Sequence, residues 1–282
     1  MRGVMIVGTA SNVGKSIITT AICRIFVNEG YVVAPFKSQN MSHKIHFIKD
    51  DMKIALSQAI QAQAAKVEPT VWMNPIVLNA KSETTSEVIL LGKTVEQMSG
   101  KKYRDVFYEK GLAAIKQSLE MLQNEFDVIV MEGAGSPVEL NLKDRELVNM
   151  KIADLADVPV LLVADIDRGG VFASIIGTLE LLTPLERERV QGIIINKFRG
   201  DPSLFHDGIR WIEEHTNIPV LGLIPYIEHQ IPAEDSLSEM NRFEKNVELD
   251  NKEDYYEDLA VKIQKHLDWQ QIINIMNRWV KK

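Results

Sequence analysis

The stretch GTASNVGKS, Gly8 to Ser16, follows the apolar run VMIV and decides how the rest of the chain is interpreted. It resembles a phosphate-binding loop with one residue too many, because residues 9–13 separate the first glycine from Gly-Lys-Ser where the usual pattern has four residues. An apolar strand pattern precedes the loop, and a helical pattern beginning SIITT follows it. This is the context that such a loop requires, so the stretch predicts a nucleotide site.

The loop offers phosphate contacts from both its backbone and its side chains. Backbone N–H groups at the start of the following helix can hold phosphate oxygens. We expect Lys15 to bridge the terminal phosphates and Ser16 to ligate Mg²⁺. The loop residues predicted to contact the nucleotide are Gly8, Thr9, Asn12, Val13, Gly14, Lys15 and Ser16. The competing interpretation is a glycine-rich turn that contains Lys-Ser by chance.

Length and composition restrict the class of protein. The 282 residues are 45% hydrophobic and 25% charged, which suits one large α/β domain or two modest ones. A net charge of -7 without a basic stripe argues against nucleic acid as a partner. No stretch approaches the roughly 18 apolar residues of a membrane span, and no signal peptide is apparent, so we expect a cytoplasmic protein.

Six apolar runs, each followed by a turn and then in most cases by a helical pattern, predict the architecture. Their continuous apolarity suits strands that are covered on both faces. The runs are VMIV at 4–7, VVAPF at 32–36, VIVM at 128–131, VPVLLVA at 158–164, GIIIN at 192–196 and IPVLGLI at 218–224. Helical patterns lie between them at 16–30, 51–66, 103–123 and 202–215. The order predicts an α/β fold with a doubly wound, mostly parallel sheet.

A second candidate metal ligand stands at a strand end, where ligands bind in such sheets. Glu132 ends the run FDVIVME and precedes Gly-Ala-Gly, so its carboxylate lies beside a backbone that can approach a ligand closely. We predict a catalytic and metal-binding role for Glu132; an ordinary capping role is the alternative. Asp127 begins the same run and is therefore expected to be structural.

Two further strand ends carry candidate site residues. Asp165, Asp167 and Arg168 occur in ADIDRGG, where two carboxylates and a guanidinium precede a glycine-lined helix start. They predict a ligand contact with a catalytic role, against the alternative of a solvated ion-pair network. Asn196 and Lys197 stand at the end of the next run and are predicted to contact the nucleotide, where the amide of Asn196 can read a purine edge.

Other chemically capable residues carry weaker signals. Cys23 is the one cysteine and lies inside the loop's helix, so a buried apolar role is favoured over a nucleophilic one. His43 and His46 form the one close histidine pair, and solvation is favoured over metal binding.

The C-terminal part divides into a linker and a tail. Residues 238–252 are almost uniformly polar and predict a linker. In the tail, 253–282, apolar residues at a spacing of four predict a helix, and Asp268 with Gln271 predicts the capped start of a second helix. Packing of this tail on the domain surface is favoured over docking to a partner.

Several strings, in this order and spacing, closely resemble the synthetase domain of the cobyric acid synthase family. The resemblance extends from about Gly3 to Leu237, and its loop is of the dethiobiotin-synthetase type, which has five residues between the glycines. The strings are GTASNVGKS, FKSQNM, QAIQAQAA, MNP, EGAGSPVELNLKDRELVNM, ADIDRGGVFASIIGTLELL, INKFRGD and AEDSL. A synthetase domain over 1–237 is therefore predicted.

The resemblance implies an ATP-dependent, amide-forming ligase of cobalamin biosynthesis. Its reaction would convert the b, d, e and g carboxylates of adenosylcobyrinic acid a,c-diamide into amides through acyl phosphates. Lys15, Ser16 and Glu132 would act with Mg²⁺ on the transferred phosphoryl group. Asp165, Asp167 and Arg168 would lie near the acceptor, and Asn196 near the adenine.

Three departures from the family pattern concern the acceptor and the ammonia source. Lys53 stands where the family has an acidic residue, unless Asp50 or Asp51 replaces that residue, and Asn79 with Ala80 replaces a Lys-Pro pair. Full-length members continue into a glutaminase domain, which we expect to be absent from this chain. Ammonia would then come from a separate glutaminase chain or from solution, and a homodimer is left open.

Other readings of the sequence remain in competition. A non-catalytic or diverged ATP-binding homologue would account for Lys53 and Asn79. A ParA/MinD-type ATPase switch is disfavoured, because its loop carries an extra lysine at the place of Ala10. Dethiobiotin synthetase and cobyrinic acid a,c-diamide synthase resemble this chain less than cobyric acid synthase does over the strings EGAGSPVELNLKDRELVNM and ADIDRGGVFAS.

Overall fold

A computed structural model describes residues 1–80, 85–99, 106–229, 231 and 252–279. All six apolar runs form strands of one central sheet, in the order β12-β11-β10-β1-β9-β2, and every neighbouring pair is parallel. These strands are β1 (Gly3–Gly8), β2 (Val33–Phe36), β9 (Val128–Glu132), β10 (Val160–Asp165), β11 (Val190–Phe198) and β12 (Val220–Pro225). The doubly wound parallel sheet predicted from the sequence is confirmed.

Both faces of this sheet are buried, which explains the continuous apolarity of its strands. Met5 and Val7 pack into one apolar cluster, whereas Val4 and Ile6 pack into a second cluster on the opposite face. The helices are α1 (Lys15–Asn28), α2 (Leu56–Ala64), α3 (Tyr108–Glu125), α4 (Met150–Ala156), α5 (Val171–Leu181), α6 (Pro184–Arg189), α7 (His206–Thr216), α8 (Glu253–Gln264) and α9 (Trp269–Trp279).

A second region of sheet lies between β2 and α3, and the sequence did not predict it. Its four strands, in the order β3-β6-β7-β8, and a separate hairpin, β4-β5, include five antiparallel strands. These strands are β3 (Gln39–Met41), β4 (Ile45–Phe47), β5 (Lys53–Ala55), β6 (Ile76–Ala80), β7 (Thr85–Leu90) and β8 (Lys93–Ser99). The helix expected over 51–66 is correct only from Leu56 onward.

The hairpin explains this difference from the expected helix. Asp50 and Asp51 have φ angles of 60° and 55°, which an α-helix does not accept, and Met52 N donates to Lys49 O at 3.4 Å. Residues 53–55 therefore return as β5 before α2 begins. Asp50 and Asp51 form this tight turn.

The tail packs on the sheet domain through two helices. Tyr256, Leu259 and Ile263 of α8 are buried in the apolar cluster that also contains Ile18 and Ile22 of α1. Gln271 N donates to Asp268 Oδ1 at 3.0 Å, so the capped start predicted for the second helix is present. The linker expected at 238–252 lies outside the described residues except for Lys252. Among the described helices, none is long and apolar enough to cross a membrane.

Candidate functional site

The register of the sheet places the loop Gly8–Ser16 between two acidic strand ends. On one side Ile6 of β1 is paired with Glu132 of β9, and on the other side Gly8 is paired with Val163 of β10. Because parallel strands end at the same edge of the sheet, the loop, Glu132 and Asp165 lie along that edge.

The loop backbone adopts a conformation that only this sequence pattern accepts easily. Asn12 and Gly14 have φ angles of 59° and 99°, and α1 begins directly after Gly14. A Cβ atom on Gly14 would lie 2.1 Å from Asn196 Nδ2, so no other residue fits there without displacing Asn196. The loop leads directly into the N-terminus of α1, and the backbone N–H groups of a helix N-terminus suit an anion.

Lys15 closes the loop against the turn that follows β9. Its ammonium donates to Ala10 O and to Gly135 O, both at 3.2 Å, and the residue is buried. The side chain is therefore held over the loop, in the position from which a lysine can reach terminal phosphates.

Glu132 is a buried carboxylate with three partners. Ser16 Oγ donates to Glu132 Oε1 at 2.8 Å, and Lys37 Nζ donates to the same oxygen at 2.9 Å. Gln61 Nε2 donates to Glu132 Oε2 at 2.5 Å. Both charged side chains of the Lys37–Glu132 pair are at most 1% exposed, so their attraction is weakly screened.

On the other side of β1, acidic and basic side chains form a second group. Lys197 Nζ donates to Asp165 Oδ2 at 2.8 Å and to Asn12 O at 2.5 Å, so this pair supports the loop directly. Arg168 Nε lies 3.7 Å from Asp165 Oδ2, and Asp167 N donates to Asp165 Oδ1 at 2.8 Å.

This second group continues outward to solvent. Arg199 Nε donates to Asp167 Oδ1 at 2.7 Å, and its guanidinium lies 3.7 Å from the centre of the Tyr226 ring. The hydrogen bond from Arg199 to Asp167 raises the pKa of Arg199 above its ordinary value. Both charged side chains of this pair are substantially exposed.

The sequence-predicted catalytic residues therefore divide between two groups. Glu132 contacts the predicted metal ligand Ser16, which follows Lys15 directly, whereas Asp165, Asp167 and Arg168 lie beyond β1 among ion pairs with the lysine and arginine of β11 and its following turn. Asn196 also lies on that side and donates to Val13 O at 2.8 Å. Its predicted contact with a purine stays a prediction, and so do the catalytic roles of the second group.

Several polar residues of the site were not singled out from the sequence. Lys37, Asn40, Gln61 and Asn149 are all buried. Asn149 Nδ2 donates to Ala134 O at 2.8 Å and so ties α4 to the turn after Glu132. Lys37 follows β2 directly, so the rule that strand ends face ligands was sufficient to find it. Gln61 gave no such signal, because it lies inside a helix whose distance from Glu132 is set by tertiary packing.

The two family departures meet in the second region of sheet. Lys53 Nζ donates to Thr94 Oγ1 at 3.0 Å and lies 3.8 Å from Glu87 Oε1. Asn79, which is paired with Glu87 across β6 and β7, donates from Nδ2 to Glu87 Oε2 at 3.0 Å. Lys53 and Asn79 therefore share one carboxylate, and Lys53 contacts neither Asp50 nor Asp51 among the described ion pairs. The side chain of Ala80 is outside what the structure describes.

Cys23 is buried, as expected from the sequence, whereas His46 is only partly exposed. Cys23 is fully buried, and burial raises the pKa of its thiol far above the ordinary value, so the thiolate nucleophile is not accessible. Burial lowers the pKa of His46. Within the described residues, no three His, Cys, Asp or Glu side chains come together as a metal cluster.

The residues beside the loop fit Mg²⁺ by ligand type. Mg²⁺ in phosphate sites is held by one or two protein oxygens together with phosphate oxygens, so a cluster of three acids is not required. Ser16 Oγ and Glu132 Oε1, 2.8 Å apart, provide a hydroxyl and a carboxylate oxygen. Lys37 Nζ donates to the same carboxylate oxygen, so direct coordination of Mg²⁺ by Glu132 Oε1 requires Lys37 to share this oxygen or to release it.

Comparisons with known proteins identify a family and relatives to which this chain is similar. A family model described as "CobQ/CobB/MinD/ParA nucleotide binding domain" matches residues 4–237. Cobyric acid synthase from Geobacillus kaustophilus (strain HTA426) is 54% identical over 86% of this chain and 48% of its own length. Cobyric acid synthase from Nostoc sp. (strain PCC 7120) is 51% identical over 86% of this chain and 49% of its own length. The chain thus spans about half the length of these curated relatives.

Solved structures also match. The signal recognition particle receptor FtsY from Elizabethkingia anophelis, in complex with GDP, has a TM-score of 0.47 and 15% sequence identity. That match covers 81% of this chain and 58% of the FtsY chain.

Proposed function

The chain belongs to the CobQ/CobB/MinD/ParA nucleotide-binding domain family, and on that premise we propose that it is an ATP-dependent ligase that forms amides on a corrinoid. The proposed substrate is adenosylcobyrinic acid a,c-diamide, with amidation at the b, d, e and g carboxylates. The ligase proposal is supported by identities of 54% and 51% to proteins named cobyric acid synthase. We propose residues 1–237 as the synthetase domain and the cytoplasm as its location.

The proposed chemistry has two steps. A corrin carboxylate oxygen attacks the γ-phosphorus of ATP, a P–O bond to ADP breaks, and an acyl phosphate forms. The nitrogen of ammonia then attacks the acyl carbon, the C–N bond forms, and the C–O bond to phosphate breaks. One proton from nitrogen leaves with the phosphate, so the products are the amide and hydrogen phosphate.

The residues beside the loop suit the first step. Lys15, 3.2 Å from the carbonyls of Ala10 and Gly135, can exchange these contacts for phosphate oxygens, and Lys37 can bring a second cation to the transferred phosphoryl group. Mg²⁺ supplies further charge stabilisation when it is held by Ser16 and Glu132. The observation that carries the proposal is the convergence of Ser16, Lys37 and Gln61 on the buried carboxylate of Glu132.

The second group is proposed to support the nucleotide. Lys197 holds both Asp165 and the carbonyl of Asn12, so it fixes the loop from the side opposite Glu132. We keep Asn196 as the proposed adenine contact, and Asp165, Asp167 and Arg168 as proposed catalytic residues near the acceptor. A separate glutaminase chain or free ammonia is the proposed nitrogen source, and a homodimer is the proposed assembly.

A second function is favoured by one specific observation. Lys53 and Asn79 both contact Glu87, so two positions that depart from the family pattern are linked through one carboxylate. A diverged homologue that binds ATP without amidating a corrinoid would have this property. This reading differs from the first in turnover and not in nucleotide binding.

The deciding experiment uses purified protein with ATP, Mg²⁺ and adenosylcobyrinic acid a,c-diamide, given ammonium in one series and glutamine in another. Mass spectrometry follows each added amide. Amidation with ammonium supports the ligase, whereas ATP binding without any amide in either series supports the diverged homologue.

Lys15→Ala is the variant that tests the loop. It removes the cation nearest to the terminal phosphates, so we expect ATP turnover and amidation to fall by at least about a hundredfold. Thermal unfolding of the variant verifies that the fold is retained. Wild-type amidation rates in the variant would contradict the role assigned to Lys15.

A further inference from the structure

Two amide side chains on α2 retain hydrogen-bonding atoms that no described residue uses. Gln58 and Gln61 are both fully buried. Gln58 Nε2 and Gln61 Oε1 have no hydrogen-bond partner. Buried polar atoms without partners are rare, and each one indicates a bound water, ion or ligand or a functional role.

The orientation of both amides is fixed by their other contacts. Asn40 Nδ2 and Ser57 Oγ donate to Gln58 Oε1 at 2.8 Å and 3.0 Å. Gln61 Nε2 donates to the Glu132 carboxylate at 2.5 Å. Turning either amide would place donor against donor or oxygen against oxygen. The pair therefore offers one N–H donor, from Gln58, and one oxygen acceptor, from Gln61.

The two atoms belong to neighbouring positions on one helix. Residues three apart on a helix lie on the same face, with Cβ atoms about 5–6 Å apart. A small molecule that bridged the two atoms would accept from Gln58 Nε2 and donate to Gln61 Oε1. It must have both a lone pair and an N–H or O–H group.

Resting on the amide-forming function above, we propose that Gln58 and Gln61 form a binding subsite for ammonia. Neutral ammonia has one lone pair and three N–H groups, which match the donor and the acceptor. Ammonium has no lone pair and cannot accept from Gln58. Lys37, whose ammonium lies on Glu132 at 2.9 Å, also disfavours a second cation beside it.

The subsite places the nitrogen close to the phosphoryl-transfer residues. Gln61 contacts the carboxylate that also accepts from Ser16 at the start of α1. To react, ammonia gives up the hydrogen bond from Gln58, and its lone pair forms the C–N bond with the acyl phosphate. The C–O bond to phosphate breaks, one proton from nitrogen leaves with that phosphate, and the N–H contact with Gln61 holds the nitrogen meanwhile.

Gln58→Glu tests the subsite with the smallest change of shape. One carboxylate oxygen can still accept from Asn40 and Ser57, while the Nε2 donor is replaced by an oxygen. The matched control is Gln63→Glu, on the same helix, because Gln63 Oε1 accepts from Tyr256 at 2.8 Å and a carboxylate can do the same. Steady-state amidation with ammonium chloride at fixed pH gives separate KM values for ammonia and for ATP.

We expect Gln58→Glu to raise the KM for ammonia about tenfold, which corresponds to one lost hydrogen bond. The KM for ATP should stay within about twofold, and Gln63→Glu should leave both values within that range. Gln58→Met, which removes the donor without adding charge, should repeat the rise if Gln58→Glu fails to fold.

Two results overturn the subsite. An unchanged KM for ammonia in both Gln58 variants would mean that these amides bind only water. Equal rises in the KM for ammonia and in the KM for ATP would indicate a structural role. Failure of the proposed function is distinct, because wild-type protein would then form no amide from ammonium. That result would reject the subsite together with the function.

Discussion

Two lysine–carboxylate pairs stand on opposite sides of β1, and they differ in burial. Lys37 and Glu132 are at most 1% exposed, at a distance of 2.9 Å, whereas Lys197 is 23% and Asp165 5% exposed, at 2.8 Å. The distances are nearly the same, but water screens the second pair more effectively. Two ion pairs of equal length at neighbouring strand ends therefore need not contribute equally to the stability of the fold.

The buried pair offers the largest test of this comparison. Lys37→Met leaves the Glu132 carboxylate buried without its cation, so we expect a loss of about 3–5 kcal/mol in the free energy of unfolding. ATP turnover should fall as well. Urea unfolding at pH 7 measures the loss, and the double variant Lys37→Met with Glu132→Gln should regain part of it. A loss below about 1 kcal/mol would refute the weight given to burial.

A third pair, between α1 and the tail, has only one buried partner. Arg24 of α1 is fully buried and its Nε and Nη2 have no hydrogen-bond partner among the described residues, while Glu253, 2.8 Å from Nη1, is 40% exposed. Glu253→Gln leaves the guanidinium without a counter-charge, and we expect a cost of about 2 kcal/mol, less than for Lys37 because water reaches Glu253.

The same pair predicts a dependence on pH. The hydrogen bond from Arg24 holds the pKa of Glu253 below its ordinary value. A carboxylate with a depressed folded pKa stabilises the fold above its unfolded pKa, and this contribution is lost as the pH falls through the folded pKa. The stability difference between wild type and Glu253→Gln should therefore be full at pH 7 and shrink below about pH 4. Urea unfolding at pH 7 and below about pH 4 measures this stability difference. A difference that stays constant would contradict the ion pair assigned to Arg24 and Glu253.

Lys197→Met tests the more exposed pair and should have the smallest effect on stability. In this variant the Asp165 carboxylate still accepts from the backbone N–H of Asp167 and still lies near the guanidinium of Arg168. We expect a loss of about 1 kcal/mol in urea unfolding, and weaker ATP binding because Asn12 O loses its donor. Asp167→Asn is the control, since its exposed pair with Arg199 should contribute little. A loss as large as that of Lys37→Met would remove the distinction between the two sides.

Much of the fold was predictable because its signals are local. Each of the six apolar runs became a strand of the central sheet, and Asp268 caps α9 as its spacing with Gln271 predicts. The second region of sheet was not predicted from the sequence. Its strands β3, β4 and β5 are only three residues long, and Asp50 and Asp51 border the stretch that was expected to be helical. Positive φ angles at two consecutive aspartates are tolerated there only in the context of the hairpin.

The candidate site shows the same division. Lys15, Ser16 and Glu132 were found because a loop motif and a strand end mark them. Lys37 followed the same strand-end rule and was overlooked. The contact of Gln61 with Glu132 could not be predicted from the sequence, because a position inside a helix does not indicate which carboxylate its side chain will contact.

The parallel sheet, the phosphate loop with its five intervening residues and the family all follow from the sequence alone, since they depend on runs and motifs a few residues long. Only the tertiary structure decided which polar groups meet. It separated Asp165, Asp167 and Arg168 from Glu132 by the width of β1, and it joined Lys53 to Glu87 and Gln61 to Glu132. The physical reason is that hydrogen bonds and ion pairs act over a few ångströms in space, whereas their partners here are separated by 34 and 71 positions along the chain.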